Sequence, residues 1–288
     1  DVTATLRAAQ LALRDAQGRG RGRVGLLNGE HREWARRAAE ARVARQVEWA
    51  LAQDRLELHL QPIVRLGGTR PVAHEALLRM REGGRLVAAG ELIGPCERFG
   101  LLGQVDRFAV GRAMRMLQAD PSLSLFVNLS AVGLGDDDLL DGLERELRAS
   151  PAVRGRLTLE ITESSAVRSP DRVIGWMHRL IAQGCRFAID DFGEGFSSFA
   201  LVRRLPADVL KIDGAFVRRA HDDPEALAVV DAVTRVAHAL GKQVVAEWVE
   251  SEEVERLLAG LGVEMGQGWH FGAPRPPGEA RATSARWS

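Results

Sequence analysis

The sequence predicts an α/β fold, a TIM (β/α)8 barrel with an N-terminal helical extension, and three observations carry that prediction. From residue 56 onward, short apolar runs alternate with stretches of helical period. Eight strand-like runs fall within about 220 residues, the span of one barrel. Acids and amides recur near the C-terminal ends of those runs, which a barrel of parallel strands gathers on one rim.

The elements follow in chain order. Residues 1–55 are rich in Arg and Ala, and the Gly/Arg stretch 15–24 reads as a helix end and turn. Residues 32–54 then read as one helix of strong helix formers. The strand runs are 56–64, 71–80, 123–130, 156–162, 186–192, 208–213, 243–249 and 264–271. Helical stretches such as 91–118 and 224–241 lie between them, as parallel βα units require. The tail 276–288 is polar and rich in Pro and Gly, and reads as a frayed end. The expected organisation is a linker over 1–49, a barrel over 50–275 and a flexible tail.

Composition removes several function classes. Thirty-nine basic residues balance 39 acidic ones across the 288-residue chain, so no broad positive field awaits DNA, RNA or an anionic membrane. With 45% hydrophobic residues the chain can fill a large core. Cys96 and Cys185 form no CxxC motif, which argues against a disulfide framework or structural zinc and fits a reducing compartment. No apolar run approaches the ~18 residues of a membrane span, and no secretory leader pattern is visible. A cytoplasmic location is expected for this domain, with a membrane-anchored parent protein left open.

The polar residues inside the strand runs carry the functional signal. They are Glu75, Asn128, Glu160 with Glu163, Asp190 with Asp191, Lys211 with Asp213, Glu247 with Glu250, and Gln267. One such acid alone reads as an N-cap or a satisfied buried group. Several converging on one rim cost too much to bury unless cations neutralise them. An all-oxygen set without clustered histidines suits Mg2+ or Mn2+ rather than zinc. His74 adjoins Glu75 but points to the opposite strand face. The Asp190–Asp191 pair cannot both face inward from a regular strand, which predicts a strand end or bulge there. Such a site, large enough for two cations ~3.5–4 Å apart, fits phosphodiester hydrolysis. A two-carboxylate glycosidase is the rival, and the excess of acids and the inward lysine count against it. Gly193 and Gly195 in the loop 191–198 fit a lid or interface loop, or a plain βα turn.

In order along the chain stand QPIV (61–64), EALLR (75–79), VNLS (127–130), LEITES (159–164), DDFGEGFSS (190–198), LKID (210–213), VVAE (244–247) and QGWHFG (267–272). Together these resemble the EAL domain, the cyclic di-GMP phosphodiesterase module, over roughly residues 50–275. The resemblance implies a modified barrel that hydrolyses cyclic di-GMP to linear pGpG with two divalent ions, Mg2+ or Mn2+. It implies metal ligands at Glu75, Asn128, Glu160, Asp190, Asp191 and Glu247, with Lys211 orienting the attacking water. It places Glu163 as the anchor of the Gly-rich loop and Gln267 and Glu250 in support of the chemistry. Arg79 would grip a phosphate, and Gln61, Leu78 and Asp213 would contact the nucleotide. A homodimer is also implied.

The first 27 residues resemble the last helix, turn and strand of a GGDEF domain, with VGLL (24–27) as the strand, which implies an upstream GGDEF or sensor domain. The chain departs from the family pattern at Trp248, where Gly is usual, at Ala273, where a basic residue is usual, and at Leu60, Met80, Glu194 and Phe196. Trp248 should shift the local backbone or point outward. A receptor that binds cyclic di-GMP without cleaving it, and a scaffold that binds no nucleotide, are the alternatives to an enzyme.

Overall fold

A computed structural model describes residues 9–10, 13, 29–162, 164–165, 170–193 and 199–283. The proposed GGDEF-like strand, Glu163, Glu194 and Phe196 lie outside the described residues. The chain divides into two compact units, one of residues 1–56 and 80–102, the other of residues 57–79 and 103–288.

In the first unit, helix α1 (Gly29–Ala52) buries Ala35, Ala44, Val47 and Ala50, and α2 (Ala89–Arg98) buries Leu92 and Cys96. Arg98 Nε reaches Glu40 of α1 at 3.1 Å. Between them lies the short strand β3 (Arg85–Ala88), beside the end of β2 (Pro71–Glu82). The stretch 91–118 does not form one helix. It breaks at Gly100, whose φ of +70° glycine adopts without the clash a Cβ would bring, and resumes as α3 (Leu102–Ala119).

The remaining strands are β1 (Leu56–Arg65), β4 (Leu125–Asn128), β5 (Leu157–Thr162), β6 (Arg186–Phe192), β7 (Val209–Ile212), β8 (Gln243–Ala246) and β9 (Met265–Gln267). They run in the order β1-β9-β8-β7-β6-β5-β4-β2, and a β1–β2 pairing closes the ring of eight. The expectation of all-parallel strands is corrected at one place. β1 pairs antiparallel with β9, Ile63 opposite Gln267, while β2 and β4 to β9 pair in parallel. The cause is local: the turn Leu66–Gly67–Gly68 connects β1 to β2 with no crossover helix, so the two strands cannot run the same way.

The connecting helices of this unit are α4 (Asp137–Ala149), α5 (Pro170–Ala182), α6 (Phe199–Arg204), α7 (Gly214–Val217), α8 (Pro224–Ala239), α9 (Glu252–Gly260) and α10 (Pro277–Thr283). Several begin on capping side chains: Asp136 accepts from the Leu139 amide, Asp223 from Glu225 and Ser251 from Val254. α4 buries Leu139, Leu140, Leu143 and Leu147, a stripe at helical spacing.

Inside the barrel the period of two sorts residues into layers. Ile63, Ala73, Phe126, Ala188, Val209, Val245 and Met265 form one buried apolar cluster. Two residues further on, each of the parallel strands β2, β4, β6, β7, β8 and β9 places Glu75, Asn128, Asp190, Lys211, Glu247 or Gln267. β5 follows suit with Thr158 and Glu160, both buried. On the reversed β1, Gln61 precedes Ile63.

The opposite barrel end is tied by two cations. Lys242 Nζ donates to the carbonyls of Leu205 at 3.0 Å and Ala207 at 2.7 Å. Arg156 donates to the carbonyls of Leu117, Asp120, Leu123 and Ala152, all within 2.9 Å, and so ties the end of α3 to the start of β5. Arg156→Ala is expected to lower unfolding free energy in urea by about 2–4 kcal/mol. Arg156→Lys, with a single ammonium in place of the fork, should recover less than half. A loss below about 0.5 kcal/mol, the level of ordinary surface changes, would remove the clamp from the account.

Candidate active site

The second layer places one lysine among acids. Lys211 is fully buried, and its Nζ lies 2.6 Å from Glu247 Oε1, 2.7 Å from Glu160 Oε1, 3.1 Å from Asp190 Oδ1 and 3.4 Å from Glu75 Oε2. Three amides extend the network. Asn128 Nδ2 donates to Glu75 Oε1 at 2.7 Å, and Gln267 Nε2 to Glu75 Oε2 at 2.6 Å and to Gln61 Oε1 at 3.1 Å. Gln61 Nε2 in turn donates to the Gly272 carbonyl at 3.2 Å.

Asp191 joins through a backbone irregularity. The β6–β7 register shifts between Ile189 and Phe192, and Asp191 has φ of +53°. The expected bulge is therefore present. It brings oxygens of Asp190, Asp191 and Glu247 all within 4.8 Å of one another.

The electrostatics follow from burial. Burial pushes the Glu75 carboxyl up, but Lys211 and the Gln267 and Asn128 amides outweigh it and leave it below the usual carboxylate value. Glu160 is raised well above that value by burial and by the Glu75 charge. Burial raises Glu247 to about 8, against the pull of Lys211. For Lys211 burial favours loss of the proton, yet Asp190, Glu160 and Glu247 overcome it, so the ammonium persists. Five carboxylates and one ammonium leave a formal charge of −4 if all ionise. Either protons or cations must offset it.

The donor set fits divalent metal. Glu160 Oε1 and Oε2, Asp190 Oδ1 and Gln267 Oε1 are buried without a hydrogen-bond partner, even though two of these oxygens stand close to the ammonium. The donors are all oxygens, which hard divalent cations prefer. Asn128, with its amide nitrogen spent on Glu75, leaves Oδ1 as the oxygen it could offer a cation.

Other expected site residues are placed differently. Glu250 is exposed at the rim and is absent from the carboxylate cluster. Leu78 is buried on the face of β2 opposite Glu75, because residues three apart on a strand face opposite ways. Asp213 is an N-cap, with Oδ1 accepting from the Ala215 amide. Arg79 shares the Glu75 face, half-buried, and donates to the Leu78 carbonyl at 2.8 Å. His74 faces away from Glu75, and burial lowers its pKa.

Trp248 follows Glu247 with φ of +54°, and its side chain is exposed. Of the two outcomes expected of a Trp there, the outward-pointing side chain is found. A bulky residue in this region costs about 1–3 kcal/mol and persists only where its surroundings hold it. The ring lies so close to Gly214 that a Cβ on that residue would sit 2.0 Å from Trp248 Cδ1.

One contributor went unread in the sequence. Asp106 of α3 is buried, and accepts from the Ser130 hydroxyl and, at 3.3 Å, from its amide. It thereby pins the loop that follows Asn128. An acid within the apolar stripe of Leu102, Ala109 and Ala113 was the available signal.

Comparisons with known proteins bear on the family and the fold. The EAL domain model matches residues 44–274. The chain belongs to the EAL domain family. It is 29% identical over 277 residues to the cyclic di-GMP phosphodiesterase PdeB of Shewanella oneidensis, covering 94% of this chain and 32% of that protein. The cyclic di-GMP phosphodiesterase NbdA of Pseudomonas aeruginosa is 32% identical, over 94% of this chain and 35% of its own length. The chain thus spans about a third of the length of these relatives. Among solved structures, the PaMucR phosphodiesterase in complex with c-di-GMP superposes with a TM-score of 0.78 at 31% identity, over 83% of this chain and 99% of that one. Among the described residues no helix is long and apolar enough to cross a membrane.

Asp106 gives a pH signature. Burial raises its carboxyl from 3.8 to about 6. Between those values the folded chain keeps a proton that the unfolded chain releases. This contribution to stability is therefore full below about pH 4 and lost as pH rises through about 6. The stability of the parent relative to Asp106→Asn should fall by up to about 3 kcal/mol between pH 4 and 7. Urea unfolding at several pH values reads it, and a pH-independent difference contradicts it.

Proposed function

We propose that this EAL domain hydrolyses cyclic di-GMP to linear pGpG, with two divalent cations, Mg2+ or Mn2+, held by Glu75, Asn128, Glu160, Asp190, Asp191 and Glu247. The supporting observation is the convergence of five carboxylates and Lys211 at one end of a closed barrel, with buried carboxylate oxygens left without hydrogen bonds. Relatives that are cyclic di-GMP phosphodiesterases supply the substrate.

The reaction breaks one P–O3′ bond, while the oxygen of a water molecule bonds to phosphorus. Bound cations would polarise the phosphodiester and the attacking water. The chain's own residues do the positioning. Lys211 lies among the carboxylates rather than at the surface, so it fixes their spacing and offsets their charge. Gln267 and Asn128 hold both oxygens of Glu75, and Gln61 steadies Gln267 from the reversed strand. Arg79, on the Glu75 face, is the fork available to a phosphate. Glu163, next in sequence after β5, is assigned as the anchor of the Gly-rich loop that follows β6 on family resemblance alone. The same resemblance supports a homodimer, and the separate likeness of residues 1–27 to the end of a GGDEF domain supports an upstream GGDEF or sensor domain in a longer, cytoplasm-facing parent protein.

The test is incubation of the chain with cyclic di-GMP in Mg2+, Mn2+ or EDTA, with chromatography of the nucleotides. pGpG should appear only with metal. Glu75→Gln and Lys211→Met should each lower turnover by at least about 10³-fold, with folding checked by circular dichroism. Undegraded nucleotide that still binds by calorimetry would make the chain a receptor. Near-parental turnover in either variant would overturn the assignment.

A further inference from the structure

Resting on the reading just given, we propose that Trp248 and Arg218 form a platform on which one guanine base of the cyclic dinucleotide stacks. Trp248 sits one residue beyond Glu247, and its ring packs on Gly214, three residues beyond Lys211. The platform therefore borders the catalytic rim. Trp248 is 46% exposed, so part of its side chain is open to a ligand. The Arg218 guanidinium lies 4.8 Å from the ring centroid. Its Nε donates only weakly, to the Gly214 carbonyl at 3.3 Å, and none of the ion pairs among the described residues involves it.

Both side chains line a rim cavity of about 320 Å³ with His221, Asp222, Glu250 and Glu253. This lining suits a neutral base better than a phosphate. Three carboxylates would repel an anion, whereas guanine offers them its N1 and N2 donors. Adenine lacks the donor at N1 and the acceptor at O6. The strained backbone of Trp248 is held by contacts on Gly214 and Arg218, as strain at a ligand clamp is. Base–aromatic stacking is strong enough to be read as a change of about tenfold in affinity.

The experiment compares the parent chain with Trp248→Ala, Trp248→Gly and Trp248→Phe in the metal that supports turnover. Loss of the ring should raise KM for cyclic di-GMP about tenfold in both the Ala and Gly variants. kcat and the metal concentration for half-maximal rate should stay within twofold, and Phe, which keeps a ring, should stay within threefold of the parent KM. The Gly variant relieves the backbone while the Ala variant does not, so a shared KM effect belongs to the ring and not to a displaced Glu247. If the parent binds without hydrolysing, the same ratios are read from calorimetric Kd values. An active parent whose Ala and Gly variants keep KM within twofold, or lose kcat instead, overturns the platform alone. A parent that neither hydrolyses nor binds cyclic di-GMP overturns the platform and the proposed function together.

Discussion

The Lys211 ammonium has no exposure to solvent, and a charge so placed is tolerable only because four carboxylates stand within 3.4 Å of it. The dependence is mutual. Glu75, Glu160, Asp190 and Glu247 come from four different strands, and without the ammonium between them their charges would push those strand ends apart. Removing one partner of a buried ion pair generally costs about 3–5 kcal/mol, because the survivor is left uncompensated. Here the survivors would be four carboxylates of one sign.

That arrangement depends in turn on strand parity. An apolar residue and a polar one two positions later face the same side, so a barrel that packs Ala73, Ala188, Val209 and Val245 in one layer presents Glu75, Asp190, Lys211 and Glu247 in the next. A slip of one residue in any of these strands would bury its polar group among helices and send an aliphatic one into the site. The floor of the site and the core of the fold are thus one register choice. Arg156 and Lys242 hold loop carbonyls at the far end of the barrel and keep that choice aligned.

Much of this was legible in the sequence, because acids inside strand-like runs have few innocent explanations once several share a strand end. The bulge at Asp190–Asp191 was readable for the same reason: alternation forbids two adjacent inward side chains. The reversal of β1 was harder to see. QPIV looks like any strand, and only the short glycine turn before β2 betrays its direction. Leu78 entered through the EALLR motif and Glu250 as an acid at the end of a strand run, whereas strand parity places Leu78 in the packing and exposure places Glu250 at the rim. Asp106 stayed hidden because its partner, Ser130, is 24 residues away, a contact that no local pattern encodes. The break at Gly100 was masked by helix-forming residues on both sides.

The reversed strand has a consequence for how the protein comes into being. β1 and β9 meet across more than two hundred residues of chain, and the Leu60–Arg275 bridge lies further along the same seam. Contacts between such distant segments form against a large loop-closure entropy, so they belong to the slow part of folding. The Gln61–Gln267 hydrogen bond crosses this seam, and through Gln267 it reaches Glu75. A nascent chain still lacking its last barrel strand can pair β4 through β8 and bring most of the acids together. It cannot yet support Glu75 from Gln267. Completion of the acidic rim is therefore tied to ring closure, and a partly synthesised barrel has the acids before it has the frame that sets them.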